Sequence, residues 1–167
     1  DVDWRLGDVR DPSAVYDAVS GCEIVIHLAS LKQVDLSEIQ PTEFLLTNCL
    51  GSKFVLDASL QAGGVRRVVG ISSDKMAGAI NAYGATKLLV EKMFWEAAAM
   101  RRRSEGPEFV VVRAGNVFGT RGSVAPRWAE ARAKCQALQV TNPAMTRFFF
   151  SMDHALALVQ YALNRAP

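Results

Sequence analysis

The sequence predicts an α/β fold built on a doubly wound parallel sheet, and three observations predict it. Short apolar runs alternate with longer segments of helical period, and half of the 167 residues are hydrophobic. No intervening stretch is long, Pro-rich or Ser-rich enough to be a linker, and no internal repeat occurs, so the chain reads as one domain. Strands separated by helices of more than about ten residues are joined by right-handed crossovers, which makes the sheet parallel and covers both its faces.

The elements follow in order. Residues 2–6 form a weak strand candidate, and Gly7-Asp8 then leads to Asp11-Pro12-Ser13, where Asp11 or Ser13 can cap a helix running to Val19. Residues 23–28, Glu-Ile-Val-Ile-His-Leu, read as a buried strand. Pro41 begins a helix over 42–61, with Phe44, Leu45, Val55, Leu56 and Leu60 in helical spacing, and Gly63-Gly64 stops it. Residues 67–72 form the next strand. A polar loop to Asn81 precedes a strong helix over 82–102, rich in Ala, Leu, Lys, Glu and Met. A third buried strand is expected at 109–113, a loop at 115–123, a helix at 127–138, a short strand at 147–150 and a last helix at 152–164.

Composition narrows the function classes. Nineteen Lys and Arg against seventeen Asp and Glu leave a net charge of +2, which gives no reason to expect nucleic acid or an acidic membrane. Cys22, Cys49 and Cys135 match no disulfide framework or metal pair and read as free thiols in a reducing compartment. No basic-then-apolar leader and no apolar run near ~20 residues occurs, so a soluble, cytoplasmic protein is expected. No spacing of His, Cys or carboxylates suggests a metal. His27 reads as a core histidine, His154 as helix surface, and Arg101-Arg102-Arg103 as a solvated helix end. The loop from Gly115 to Gly122 is not a phosphate-cradling Walker loop, because no Gly-Lys-Ser/Thr follows.

In a doubly wound fold, ligands sit beyond the carboxyl ends of the strands. Those ends carry Ala29-Ser30-Leu31-Lys32, then Ser72-Ser73-Asp74-Lys75, then Ala114-Gly115-Asn116. The second is the sharpest, with a hydroxyl, a carboxylate and an amine on consecutive residues. Beyond it, Tyr83 and Lys87 stand at i and i+4 on one helix face, where an ammonium can stabilise a phenolate and lower its pKa. A phenol tuned in this way can take a proton from a sugar hydroxyl.

These residues, together with Gly7-Asp8-Val9-Arg10-Asp11, Ile26-His27-Leu28-Ala29, Thr47-Asn48, Asn81-Ala82-Tyr83-Gly84-Ala85-Thr86-Lys87, Val112-Arg113-Ala114-Gly115-Asn116-Val117 and Met145-Thr146-Arg147-Phe148-Phe149, resemble the extended short-chain dehydrogenase/reductases that act on nucleotide sugars. Within them the chain looks most like the inverting UDP-N-acetylglucosamine 4,6-dehydratases of bacterial surface-polysaccharide and pseudaminic-acid-type pathways. Tyr83 favours that soluble branch over the membrane-bound retaining one, where Met is common. The resemblance implies a Rossmann-like NAD(P)-binding domain over 1–167, with the substrate-binding region starting after about residue 115. It implies that Tyr83 and Lys87 oxidise sugar carbon 4 with NADP, or alternatively NAD. Lys75 would then remove the carbon 5 proton, Asp74 would protonate the departing carbon 6 hydroxyl, and Ser73 would hold a hydrogen bond nearby. For Lys75 to be a base its pKa must fall, through desolvation and the charge of Lys87. Asp8, Val9, Leu28, Ala29, Lys32, Tyr83, Lys87 and Val117 match cofactor contacts. Lys32, Asn116, Arg121, Ser123 and Arg147 match contacts to the UDP-sugar, Arg147 as a diphosphate ligand. A homo-oligomer is also implied.

Departures from the family pattern are Ser73 for Thr, Ala114 for Tyr and Asn142 for Asp. The Gly-rich turn that cradles the pyrophosphate should lie about fifty residues before Val2, and the chain opens at Asp1-Val2-Asp3-Trp4 without Met. The reading therefore expects a fragment at both ends, an incomplete sheet lacking its first two strands, and little dinucleotide binding or activity by the 167 residues alone. Two alternatives stand beside the dehydratase. A UDP-sugar 4-epimerase would need Tyr83 and Lys87 but no acid and base at Asp74 and Lys75, and a catalytically silent Rossmann-like protein would need none of them.

Overall fold

The structure is a computed structural model and describes residues 2–101, 106–140 and 142–164. Three parallel strands form the sheet in the order β1 (Ile24–His27), β2 (Arg67–Ser73), β3 (Glu108–Ala114). Their registers pair Ile24 with Arg67 and Arg67 with Glu108. The central strand is buried on both faces because its alternate side chains enter two cores: Val68 packs with one face and Val69 with the other, both fully buried.

Against the Val68 face lie α1 (Pro12–Val19), α4 (Gly51–Gln61) and α5 (Ala82–Arg101), contributing Val15, Val19, Val55, Leu56, Val90 and Phe94. Against the Val69 face lies α7 (Met152–Asn164), through Ala162, Leu158 and Leu163. Helices thus cover both faces, and the doubly wound architecture is confirmed as a partial sheet. On β1, however, Ile24 and Ile26 remain 46% and 43% exposed, since α7 packs on β2 and β3.

Local chemistry explains each boundary. Asp11 caps α1 by accepting from the N–H of Ser13 (2.9 Å) and Ala14 (3.4 Å), with Pro12 in the first turn where it has no hydrogen bond to lose. The helix expected over 42–61 is instead α3 (Pro41–Phe44), a π-helical turn at Leu45–Leu50, and α4. The widened turn brings Asn48 into the interior, where its amide is fully bonded.

Several expectations need correction. Residues 2–6 form no strand: a strand needs a ladder partner, and Val2, Trp4 and Leu6 are exposed. A short helix α2 (Val34–Ile39), too brief to show a period, was not expected. The helix placed at 127–138 is α6 (Val124–Ala133), since Pro126 fits its first turn and Cys135 takes a left-handed φ of 53° just past its end. The short strand at 147–150 is reduced to β5 (Phe149–Phe150), paired in parallel with β4 (Asn116–Val117). Arg102 and Arg103 lie outside the described residues.

Candidate active site

The carboxyl end of β2 runs into a 3-10 turn at Asp74–Met76, and α5 begins six residues later. Every backbone donor in the first turn of α5 has a partner. Ala82 N–H donates to Glu38 Oε1 (2.7 Å), Tyr83 N–H to Ser37 Oγ (3.1 Å), Gly84 N–H to Asn81 Oδ1 (2.7 Å) and Ala85 N–H to the Asn81 carbonyl (3.0 Å). The unexpected helix α2 therefore caps the helix that carries Tyr83, and the Glu38 carboxylate meets its positive end. A side chain at Gly84 would place a Cβ 2.4 Å from the Lys75 carbonyl oxygen, so only glycine lets α5 rest on the turn.

On this floor the Ser73-Asp74-Lys75 triplet converges. Ser73 Oγ donates to Asp74 Oδ1 (3.0 Å), and Lys75 Nζ donates to the same oxygen (3.1 Å) and to Asn116 Oδ1 (3.0 Å). Tyr83, 7% exposed, lies against Ser73 and Asp74. Burial pushes its phenol above 10, Asp74 pushes it further, and a hydrogen bond with Ser73 partly offsets both.

Lys87 behaves differently from the expectation. Its buried ammonium donates to the Ile71 carbonyl (2.9 Å), and Lys87 is not among the groups that shift Tyr83. Burial lowers Lys87 to about 8, against smaller opposing effects of Cys49 and Glu91. The i, i+4 spacing puts both groups on one face, but in this state the phenol is raised rather than lowered. Beside Lys87, burial first and its charge second hold His27 at about 4. His27 Nε2 lies 2.9 Å from Ser52 Oγ, which donates to the Asn48 carbonyl (2.5 Å), so Nε2 carries the proton. His27 is the expected core histidine.

Asn48 is matched in the Thr47-Asn48 segment, but motif reading gives it no role. Its Oδ1 accepts from Leu31 N–H (2.8 Å) and Ser30 Oγ (3.1 Å), and its Nδ2 donates to the Leu31 carbonyl (3.0 Å) and Thr86 Oγ1 (3.1 Å). Thr86 in turn donates to the Tyr83 carbonyl (2.8 Å). One amide thus ties the loop after β1 to the helix that carries Tyr83. Its signals in sequence are the Thr47-Asn48 match and a polar residue inside an apolar helical run.

The remaining expected residues are spread out. Leu28, Ala29 and Lys32 line the open, exposed loop after β1. Asp8 pairs with Arg10, whose hydrogen bonds hold the Asp8 carboxyl down at about 2, and Val9 packs against Gly51. Val117 pairs with Phe150 in the β4–β5 ribbon. Arg121 is exposed, and Ser123 precedes α6 with a buried hydroxyl that has no hydrogen-bond partner among the described residues. Arg147 donates to the neighbouring Thr146 carbonyl at the surface, one residue before Phe148, whose carbonyl accepts from Asn116 Nδ2 (3.2 Å). Among the described residues no group of three His, Cys, Asp or Glu could hold a metal ion, and no helix is long and apolar enough to cross a membrane.

A nicotinamide dinucleotide fits what is present. A buried Tyr and Lys stand beside an open loop at the strand ends, and the hydroxyl, carboxylate and amine face the same floor. Leu28, Ala29 and Lys32 on one side and Tyr83 and Lys87 on the other would hold its nicotinamide half.

Residues 2–167 match a family model described as polysaccharide biosynthesis protein. A UDP-glucose 4-epimerase of Rickettsia typhi is 40% identical over 162 residues, 96% of this chain and 47% of that protein. The chain thus spans about half the length of the curated relatives it matches. The solved structure of Pen from Bacillus thuringiensis superposes with a TM-score of 0.94 at 35% identity, over 98% of this chain and 51% of that one. MoeE5, solved with UDP-glucose and NAD, gives 0.82 at 26%, over 95% and 58%. Nucleotide-sugar dehydratases and epimerases share this fold, and several were solved with NAD.

Proposed function

Because the chain belongs to the family of polysaccharide biosynthesis proteins, we propose that the full-length protein is a nucleotide-sugar dehydratase. It converts UDP-N-acetylglucosamine to a 4-keto-6-deoxy sugar nucleotide with inversion at carbon 5. The observation that carries this reading is the contact of Lys75 Nζ with Asp74 Oδ1 at 3.1 Å, against Ser73 and Tyr83. Carbon 4 oxidation alone needs a phenol and its lysine, whereas loss of water also needs an acid and a base on the same sugar.

A bound NADP or NAD would supply the hydride acceptor and later the donor. Tyr83 takes the proton of the carbon 4 hydroxyl as the ketone forms, and the positive charge that an oxidised nicotinamide would bring offsets its raised pKa. The ketone acidifies carbon 5, Lys75 removes that proton, and Asp74 protonates the leaving hydroxyl of carbon 6; the hydride taken from carbon 4 is then returned to carbon 6 and a proton is added to the opposite face of carbon 5. Ser73 steadies the reacting oxygens through its hydrogen bonds to Asp74 and Tyr83. Arg147, Arg121 and Lys32 supply exposed cations toward the UDP diphosphate, with Asn116 and Ser123 beside the sugar. Exposed Leu89 and Trp95 on α5 fit a homo-oligomer, and a water-soluble nucleotide-sugar substrate favours a cytoplasmic enzyme.

The name of the Rickettsia typhi relative favours a second reading, a UDP-sugar 4-epimerase. Incubating the full-length protein with UDP-N-acetylglucosamine and weighing the product separates them. The dehydratase gives a product lighter by one water, and both Lys75→Ala and Tyr83→Phe abolish it. A carbon 4 epimer of unchanged mass, formed equally well by Lys75→Ala, overturns the dehydratase.

A further inference from the structure

We propose that Asn116 is a positioning residue that aims the Lys75 amine and, by being a neutral acceptor, lets the Lys75–Asp74 ion pair convert into a base and an acid. This inference rests on the dehydratase reading above.

The geometry fixes both the position and the orientation of the amide. Gly115 sits so close to β5 that an added Cβ would lie 2.8 Å from the Phe148 carbonyl oxygen. Asn116 N–H and Nδ2 both donate to that carbonyl, at 2.9 and 3.2 Å, and Phe118 N–H donates to the Phe150 carbonyl. With Nδ2 held there, Oδ1 faces Lys75 Nζ at 3.0 Å. The flipped amide would set an NH2 against an ammonium and an oxygen against a carbonyl, so only one orientation is stable.

Lys75 therefore donates to one charged and one neutral acceptor. The dehydratase needs Lys75 without its extra proton and Asp74 with one. A single proton moved from Nζ to Oδ1 along the 3.1 Å contact breaks an N–H bond, forms an O–H bond and produces that pair with no change in net charge. Removal of water by a bound sugar favours the neutral pair over the ionic one. A second carboxylate beside the ammonium would hold the proton in place, whereas a carboxamide aims the amine without that electrostatic cost. Ser73 Oγ also donates to Asp74 Oδ1 (3.0 Å) and favours its carboxylate, equally in the native protein and in Asn116 variants, so Asn116 is the neighbour whose replacement shifts the balance. From α5, Tyr83 lies against Asp74, Gly84 presents backbone only, and the Lys87 ammonium is turned to the Ile71 carbonyl.

Opposite substitutions then give opposite shifts. In resting full-length protein, the pH dependence of Lys75 acylation by acetic anhydride, read by peptide mass spectrometry, gives a midpoint for the amine without any turnover. Asn116→Asp is expected to raise that midpoint by about one pH unit or more, and Asn116→Ala to lower it. In turnover, Asn116→Asp moves the acid limb of carbon 5 hydrogen–deuterium exchange in D2O to higher pH by the same amount. At neutral pH it slows that exchange about tenfold more than it slows cofactor reduction followed by absorbance. An unmoved labelling midpoint in both variants, or a raised KM with an unmoved exchange limb, overturns the positioning role. If Asn116→Asp fails to fold, the Asn116→Ala labelling decides alone. Should Lys75→Ala retain carbon 5 exchange, the dehydratase reading fails while the labelling still judges the contact. Loss of exchange in Lys75→Ala with unshifted Asn116 variants sinks this inference alone.

Discussion

His27 offers a stability test whose magnitude can be worked from its surroundings. The imidazole is buried under α4, donates through Nε2 to Ser52 and stands near the Lys87 ammonium, and these hold it near 4 instead of 6.5. As pH falls below 6.5 the unfolded chain takes up this proton before the folded one. Stability is then lost at about 1.4 kcal/mol per pH unit down to about 4, roughly 3 kcal/mol in all; below that both states are protonated, and above 6.5 neither is. His27→Gln keeps a donor for Ser52 and removes the titration. Urea unfolding of the full-length protein and this variant, followed by tryptophan fluorescence between pH 7.5 and 4, should show their difference in stability changing by about 3 kcal/mol in favour of the variant at the acid end. Carboxylates that titrate in the same range cancel in that difference. Parallel pH curves for the two proteins would mean that folded and unfolded His27 take up the proton at the same pH, and the assignment of a buried imidazole held neutral would be wrong.

Other consequences are equally direct. Gly84→Ala forces a Cβ toward the Lys75 carbonyl and should cost about 1–3 kcal/mol in a melting experiment, with turnover falling further than the remaining folded fraction explains. Arg113→Ala removes all three guanidinium hydrogen bonds from the buried Glu91 carboxylate, which Arg113 helps hold below the usual range against the effect of burial. A loss of about 2 kcal/mol in urea at neutral pH is expected, and one under about 0.5 would show the pair to be idle. Asn48→Leu leaves Leu31 N–H, the Leu31 carbonyl, Ser30 and Thr86 without their shared partner. Hydrogen exchange should accelerate at 30–32 and at the start of α5 together, whereas acceleration in only one segment would deny the link.

What could be read from the residues alone follows from how locally each feature is determined. β1, β2 and β3 are legible because parallel-sheet strands are nearly continuous apolar runs, although one face of β1 stays exposed, and α1 is legible because Asp11-Pro12 is a capping signal needing no distant partner. Residues 2–6 carry similar apolar residues, yet a strand exists only where a neighbour completes its ladder, and no periodicity reports that. The triplet and the Tyr83–Lys87 spacing were visible because they are short-range patterns. Their electrostatics were not, since the direction of the Tyr83 shift depends on burial against Ser73 and Asp74, and Lys87 is steered by a carbonyl sixteen residues earlier. The site is held by α2, by the π-helical Asn48 and by the Asn116 ribbon, each joining segments seventeen to forty-six residues apart through single polar contacts. A hydroxyl or carboxamide leaves almost no periodic trace, so Asn48 and Asn116 can be picked out by motif while what each holds in place emerges only when its polar contacts are traced.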